Sequence, residues 1–157
     1  MRDMFQSHKG RGGPCGFGFL LGATMLEIPS DIFDAMIEHA RTEAPAECCG
    51  LLAGRAGAVT CCFRLRNELA SPVAYQADAR DLFAAFREMR DSELELVAIY
   101  HSHPMSPARP SRVDLAENYY GDIPRIIISL AGDSSVVKAF RLFPDRFEEL
   151  ACVRKVN

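Results

Sequence analysis

No C-x-x-C pair occurs among the six cysteines of this chain, which excludes the usual zinc ribbon and the thioredoxin-like redox site. Their layout does not suit a disulfide framework either. Cys48-Cys49 and Cys61-Cys62 are adjacent pairs, while Cys15 and Cys152 stand apart. Reduced thiols are expected, packed as small apolar residues in a reducing cytoplasm. Long runs of Lys or Arg are also missing, and the net charge is -3 with a pI of about 5.8. Nucleic acid and anionic membrane are therefore not expected as the main partners. The chain has no internal repeat, low-complexity tract or interdomain linker, so its 157 residues read as one domain. An apolar run from Cys15 to Thr24 is interrupted by glycine, is too short to span a bilayer and lacks a small-x-small cleavage site. Residues 1–24 are expected to be a disordered extension, with the domain proper over 25–157.

What is present is the balance of a soluble globular protein, 48% hydrophobic and 25% charged. A chain of this length can bury a core without disulfides. Leu26-Glu27-Ile28 alternates as a short strand. Ser30 then offers an N-cap, with Asp31 and Asp34 in the first turn. Ile32, Phe33, Met36, Ile37 and Ala40 follow at helical spacing until Pro45 closes the helix. Glu47 to Arg55 reads as a strand, Gly54 to Gly57 as a turn, and Val59 to Leu65 alternates as its hairpin partner. Asp78 can cap a second helix whose apolar stripe is Leu82, Phe83, Phe86 and Met89. Leu94 to Tyr100 is a fourth strand. The proline-rich stretch 104–110 must be a loop, and Ser111 can cap a short helix to about Tyr119. Arg125 to Leu130, Ser135 to Phe143 and Phe147 to Val156 complete the strands. The order β-α-β-β-α-β-(α)-β-β-β predicts an α+β or mixed α/β domain with one mixed sheet flanked by helices.

Chemistry concentrates where the fourth strand ends, at His101-Ser102-His103-Pro104. In extended backbone, residues i and i+2 point to one side, so the two imidazoles form a ready pair of metal ligands. Pro104 keeps His103 out of helical geometry. Asp114 follows after ten residues, near enough for a loop and a helical turn to fold its carboxylate back onto the pair. Two imidazoles and one carboxylate are a common catalytic zinc set with a position left for water. Glu47, polar at the head of an apolar strand, is the candidate proton acceptor. Each feature also has a plain structural reading. A His-x-His pair can be two polar residues at a strand end, and Ser111-Arg-Val-Asp114 can be a capping box. Glu47 can be a solvated strand-end carboxylate.

Taken together, the H-x-H-P…S-x-x-D spacing and Glu47 ahead of Cys-Cys-Gly-Leu-Leu resemble the JAMM (MPN+) metalloprotease family, in its stand-alone prokaryotic form. The resemblance runs from about Met25 to the C-terminus and implies an MPN-like fold. It implies zinc on His101, His103 and Asp114, Glu47 as general base and then general acid, and Ser111 as donor to the oxyanion. It also implies a substrate: the C-terminal Gly-Gly tail of a ubiquitin-like or sulfur-carrier protein, with an amino acid such as cysteine as the released group. The departure from the family pattern is the Cys48-Cys49 pair. Cys48 as a fourth ligand would close the site, so packing is the expected role. Two alternatives stay open: a non-heme Fe(II) enzyme using the same triad, and an inactive binding module.

Overall fold

The computed structural model describes residues 25–156, so the expectation for residues 1–24 lies outside the described residues. Those residues form seven strands and three helices, in the order β1 (Met25–Pro29), α1 (Ser30–Glu43), β2 (Cys49–Arg55), β3 (Ala58–Leu65), α2 (Ala79–Asp91), β4 (Glu95–His103), α3 (Arg112–Ala116), β5 (Arg125–Ser129), β6 (Val136–Leu142) and β7 (Phe147–Lys155). The strands form one mixed sheet in the order β1-β7-β6-β5-β4-β2-β3. β1 pairs parallel with β7 and β4 parallel with β5, and the remaining pairs are antiparallel. The expected mixed sheet with flanking helices is the observed fold. Among the described residues, no helix is long and apolar enough to cross a membrane.

Alternation along the central strands sorts the core into two faces. Tyr100, Ala98, Ile126 and Ile128 face α1, packing with Ile32, Met36 and Ala40 of that helix. Ile99, Leu51, Cys49 and Leu65 face the other way, toward Ala85 and Met89 of α2. Gly50 lies opposite Tyr100 in the β2–β4 ladder, and a Cβ there would sit 2.3 Å from the tyrosine ring. That close approach is why this position carries no side chain. Cys48 is buried in the α1 core, consistent with packing rather than ligation.

Several local expectations need correction. Ser30 is the first helical residue and not the cap. Pro29 holds the N-cap position, because β1 stays extended through it in register with Lys155, and no side chain caps the helix. β2 begins at Cys49, leaving Glu47 in the segment before it. α3 stops at Ala116 rather than near Tyr119. The Asn118 amide there donates to the carbonyls of Gly121 and Leu142, and these bonds draw the chain out of the helix. In α2 the inward stripe is Ala85 and Met89, both buried, with Leu82 partly buried beside them, which turns Phe83 to 70% exposure and leaves Phe86 at the edge with 37%.

A candidate metal centre in a proton-handling cleft

β4 runs on through His103, so both histidines stand on one face of a strand in the middle of the sheet. Their Nε2 atoms are 3.1 Å apart. Asp114, on α3, brings Oδ1 to 3.1 Å from His101 Nε2 and Oδ2 to 3.7 Å from His103 Nε2. Neighbouring vertices of a tetrahedral shell with bonds of about 2 Å are about 3.3 Å apart, so the three donors have the spacing of one small cation's ligands. The site residues predicted from sequence are therefore brought together.

The ring orientations fit such an ion. His103 Nδ1 lies 2.9 Å from the Pro107 carbonyl. A carbonyl can only accept, so the neutral ring carries its proton on Nδ1 and presents a bare lone pair at Nε2. His101 is buried, its Nε2 points into the cluster, and its Nδ1 has no partner. Tyr75 stacks on its ring at 4.8 Å and fixes the plane. This is a donor set of two imidazoles and a carboxylate that can hold a divalent metal ion.

Asp114 serves two purposes at once. Its Oδ2 accepts the Ser111 N–H at 2.6 Å, and its own N–H donates to Ser111 Oγ at 3.1 Å. The capping box read from the sequence is thus real, and it is also what aims the carboxylate at the histidines. Burial raises the Asp114 carboxyl, but hydrogen bonds from both histidines outweigh it and hold the group well below the usual carboxylate range. Burial lowers His101. His103 is also penalised by burial, yet Asp114 and the Pro107 carbonyl raise it overall.

Glu47 is 5% exposed, so it is not a solvated strand-end carboxylate. It lines the same cleft of about 370 Å³ as His103, Ser111, Asp114 and Tyr75. Burial pushes its carboxyl up to about 7, with His103 pulling it down and Asp114 pushing it up. The segment before β2 would leave it in water were it not covered by the loop joining β3 to α2. Asn67 organises that loop. Its amide donates to the carbonyls of Glu47 and Ala74, and its oxygen accepts from Leu69 and Gln76. Glu47 N–H donates in turn to Ser71 at 2.8 Å. Neither Asn67 nor Tyr75 was visible as a site residue in the sequence. Both lie in an aperiodic segment, and a lone Asn there signals a turn and nothing more.

The family model described as prokaryotic homologs of the JAB domain matches residues 29–142. A Thermus thermophilus protein described as "Probable TtuB-protein conjugate cleaving protease" is 38% identical over 135 residues, covering 85% of this chain and 84% of that one. The CysO-cysteine peptidase of Mycobacterium tuberculosis is 38% identical over 93 residues. That match spans 58% of this chain and 64% of the peptidase, under two thirds of its length. Among solved structures, a protein of Desulfitobacterium hafniense superposes with a TM-score of 0.76 at 32% identity, covering 85% of this chain and 94% of that one.

Proposed function

The chain belongs to the family of prokaryotic homologs of the JAB domain, and from that premise we propose that it is a zinc-dependent hydrolase of the peptide or isopeptide bond that follows the Gly-Gly tail of a small ubiquitin-like or sulfur-carrier protein. The observation that carries this reading is the convergence of His101, His103 and Asp114, the last two lining one cleft with Glu47. Two relatives bear names of this substrate class, one a CysO-cysteine peptidase and the other a protease of TtuB conjugates. The class is carried over here to this chain, with cysteine as one candidate released group and the cytoplasm as its compartment.

A zinc ion held by the three ligands would supply Lewis-acid polarisation of the scissile carbonyl and a water of lowered pKa. Glu47 takes the proton of the attacking water and passes it to the leaving amine. A carboxyl held near pH 7 by burial suits both steps, since it gains and loses a proton at little cost there. Ser111 Oγ accepts the Asp114 N–H through a lone pair, which leaves its own hydrogen free to donate to the oxyanion. Pro107 and Tyr75 keep the two imidazoles oriented. The tail binds extended through backbone hydrogen bonds, and glycines suit a narrow cleft because they bring no side chains.

The test is to incubate the zinc-loaded chain with carrier proteins whose Gly-Gly tail is joined to cysteine or to a lysine side chain, and to read the product masses. Loss of the appended group is expected. Glu47→Ala should retain zinc and lose turnover. Failure to cut any Gly-Gly-linked substrate, or equal rates for Glu47→Ala and the parent, would overturn the reading. An activity that needs iron and oxygen would move the site to the other chemistry its ligands allow.

A further inference from the structure

A second pocket, of about 270 Å³, lies against the metal cleft. Tyr75, Val113 and Glu117 line both cavities, and His103 and Asp114 line only the cleft. Its walls are otherwise largely apolar, from Leu82 on α2, Ile99 on β4 and Leu51 on β2. Leu69 and Tyr119 on its rim are exposed at 50% and 82%, so the pocket can be reached from solvent.

One cation is set into this wall. Arg125 opens β5 in register with Ile99, which is two residues before His101 on the same face of β4. The side chain therefore stands on the metal-binding side of the sheet. It is 4% exposed, and its guanidinium lies 5.5 Å from the centre of the Tyr120 ring. Nη2 donates to Asn118 Oδ1 at 2.9 Å, while Nη1 is buried with no hydrogen-bond partner. Among the described residues, no carboxylate makes an ion pair with it. Arginine keeps its charge in such surroundings, and a buried cation with no direct ion pair is costly. The neutral amide of Asn118 and the face of Tyr120 position the group, and the charge of Asp114 acts on it from a distance without an ion pair, while Glu117 is the one carboxylate in the pocket wall.

We infer that this pocket binds a small carboxylic acid with an apolar body, its carboxylate received by the Arg125 guanidinium and its body by Leu82, Ile99 and Val113. One free donor edge suits a carboxylate, whereas a phosphate group calls for more donors than the wall offers. The volume admits a ligand the size of an amino acid. Such a carboxylate has two sources. It belongs to the amino acid released by the chain's own hydrolysis, an assignment that rests on the proposed function, or to a free acid that binds beside the active site.

The test uses the full chain and a matched pair of probes, isocaproate and isocaproamide, which share a body and differ in charge. Binding is followed by NMR at the Tyr75 and Tyr120 rings and the Arg125 side chain. Saturable binding of isocaproate is expected, with the amide at least tenfold weaker. Arg125→Met should bring the acid down to the level of the amide, and Arg125→Lys should keep part of the preference. Equal binding of acid and amide to the parent chain, or no binding of either, overturns the inference whether or not any variant folds. This arm reads no hydrolysis, so it can fail or succeed independently of the catalytic reading. The source is then read from turnover of carrier conjugates that release leucine or leucinamide. A loss in Arg125→Met confined to leucine assigns the carboxylate to the leaving residue, and unchanged rates for both assign it to a free acid.

Discussion

Tyr100 and His101 are neighbours on one strand, both polar rings and both buried, yet they live in opposite circumstances. Tyr100 faces α1, where its hydroxyl meets His39 Nδ1 at 2.8 Å and the Cys62 thiol at 3.6 Å. That hydroxyl is satisfied by the protein itself. His101 faces the cleft, where its Nδ1 has no partner and its Nε2 crowds against His103 Nε2 and Asp114. Two lone pairs 3.1 Å apart repel unless a proton or a cation lies between them. The α1 face is closed to further chemistry, and the cleft face has donors to spare. Substitutions on the two faces should therefore fail in different ways.

The largest effect is expected on the cleft face. Asp114→Asn removes the charge but keeps an oxygen able to accept the Ser111 N–H, so the cap survives. Metal affinity should fall by at least about a hundredfold, since loss of a mere supporting contact to a ligand already costs 10–100-fold. Hydrolysis should fall with it. The melting temperature of the metal-free protein should hardly move. Metal titration and calorimetry check the two halves, and a collapse of the metal-free fold would show that Asp114 is chiefly structural.

The sequence made much of this face legible. His101 and His103 announce themselves because strand geometry is local: two residues apart means one side. Asp114 needed the spacing of a known motif, since ten intervening residues and a proline-rich loop could lead anywhere. The burial of Glu47 was not legible. Read alone, it is a strand-end carboxylate in water, and what buries it is a loop from residues 67–77 held down by one asparagine. Such tertiary cover leaves no periodic trace. Arg125 was hidden for a similar reason, because it opens a β-branched run and reads as the polar end of a strand. The α1 face was more predictable, as its alternating and helical patterns name most of its core directly.

On the closed face, Gly50→Ala should give the next largest effect. Its Cβ would meet the Tyr100 ring at 2.3 Å, and that ring is held by His39 and Cys62 and cannot swing away freely. A loss of about 3 kcal/mol is expected by denaturant titration, at the upper end of overpacking costs. Metal binding by the protein that remains folded should be little changed. A loss of metal affinity out of proportion to stability would mean that the two faces are coupled through β4.

A smaller effect comes from pH. Burial, assisted by Arg64, lowers the His39 imidazole to about 4 from its usual 6.5. The unfolded chain thus takes up this proton before the folded one. The stabilising contribution of neutral His39 is complete above pH 6.5 and is lost as pH falls toward 4, by about 3 kcal/mol. Other carboxylates titrate in the same window, so the quantity to measure is the difference between the parent and His39→Gln. The variant should show a shallower fall in stability between pH 6.5 and 4. Parallel curves would show that the histidine charges freely and that the α1 face is less closed than its hydrogen bonds suggest.

The smallest effect separates pattern from packing. Phe83 belongs to the apolar stripe that the sequence of α2 suggests, and deletion of a core phenylalanine costs about 3–5 kcal/mol. In the fold, Ala85 and Met89 are buried, Leu82 is partly buried and Phe83 is 70% exposed. Phe83→Ser should therefore change stability by no more than about 0.5 kcal/mol, the range of ordinary surface substitutions. Leu82→Ala, one residue away and packed against the β2–β4 core, should cost clearly more. Denaturant midpoints of the two variants decide the matter. A Phe83 loss as large as that of Leu82 would mean that the ring is covered in solution, and that the cleft side of the sheet buries more than its own elements account for.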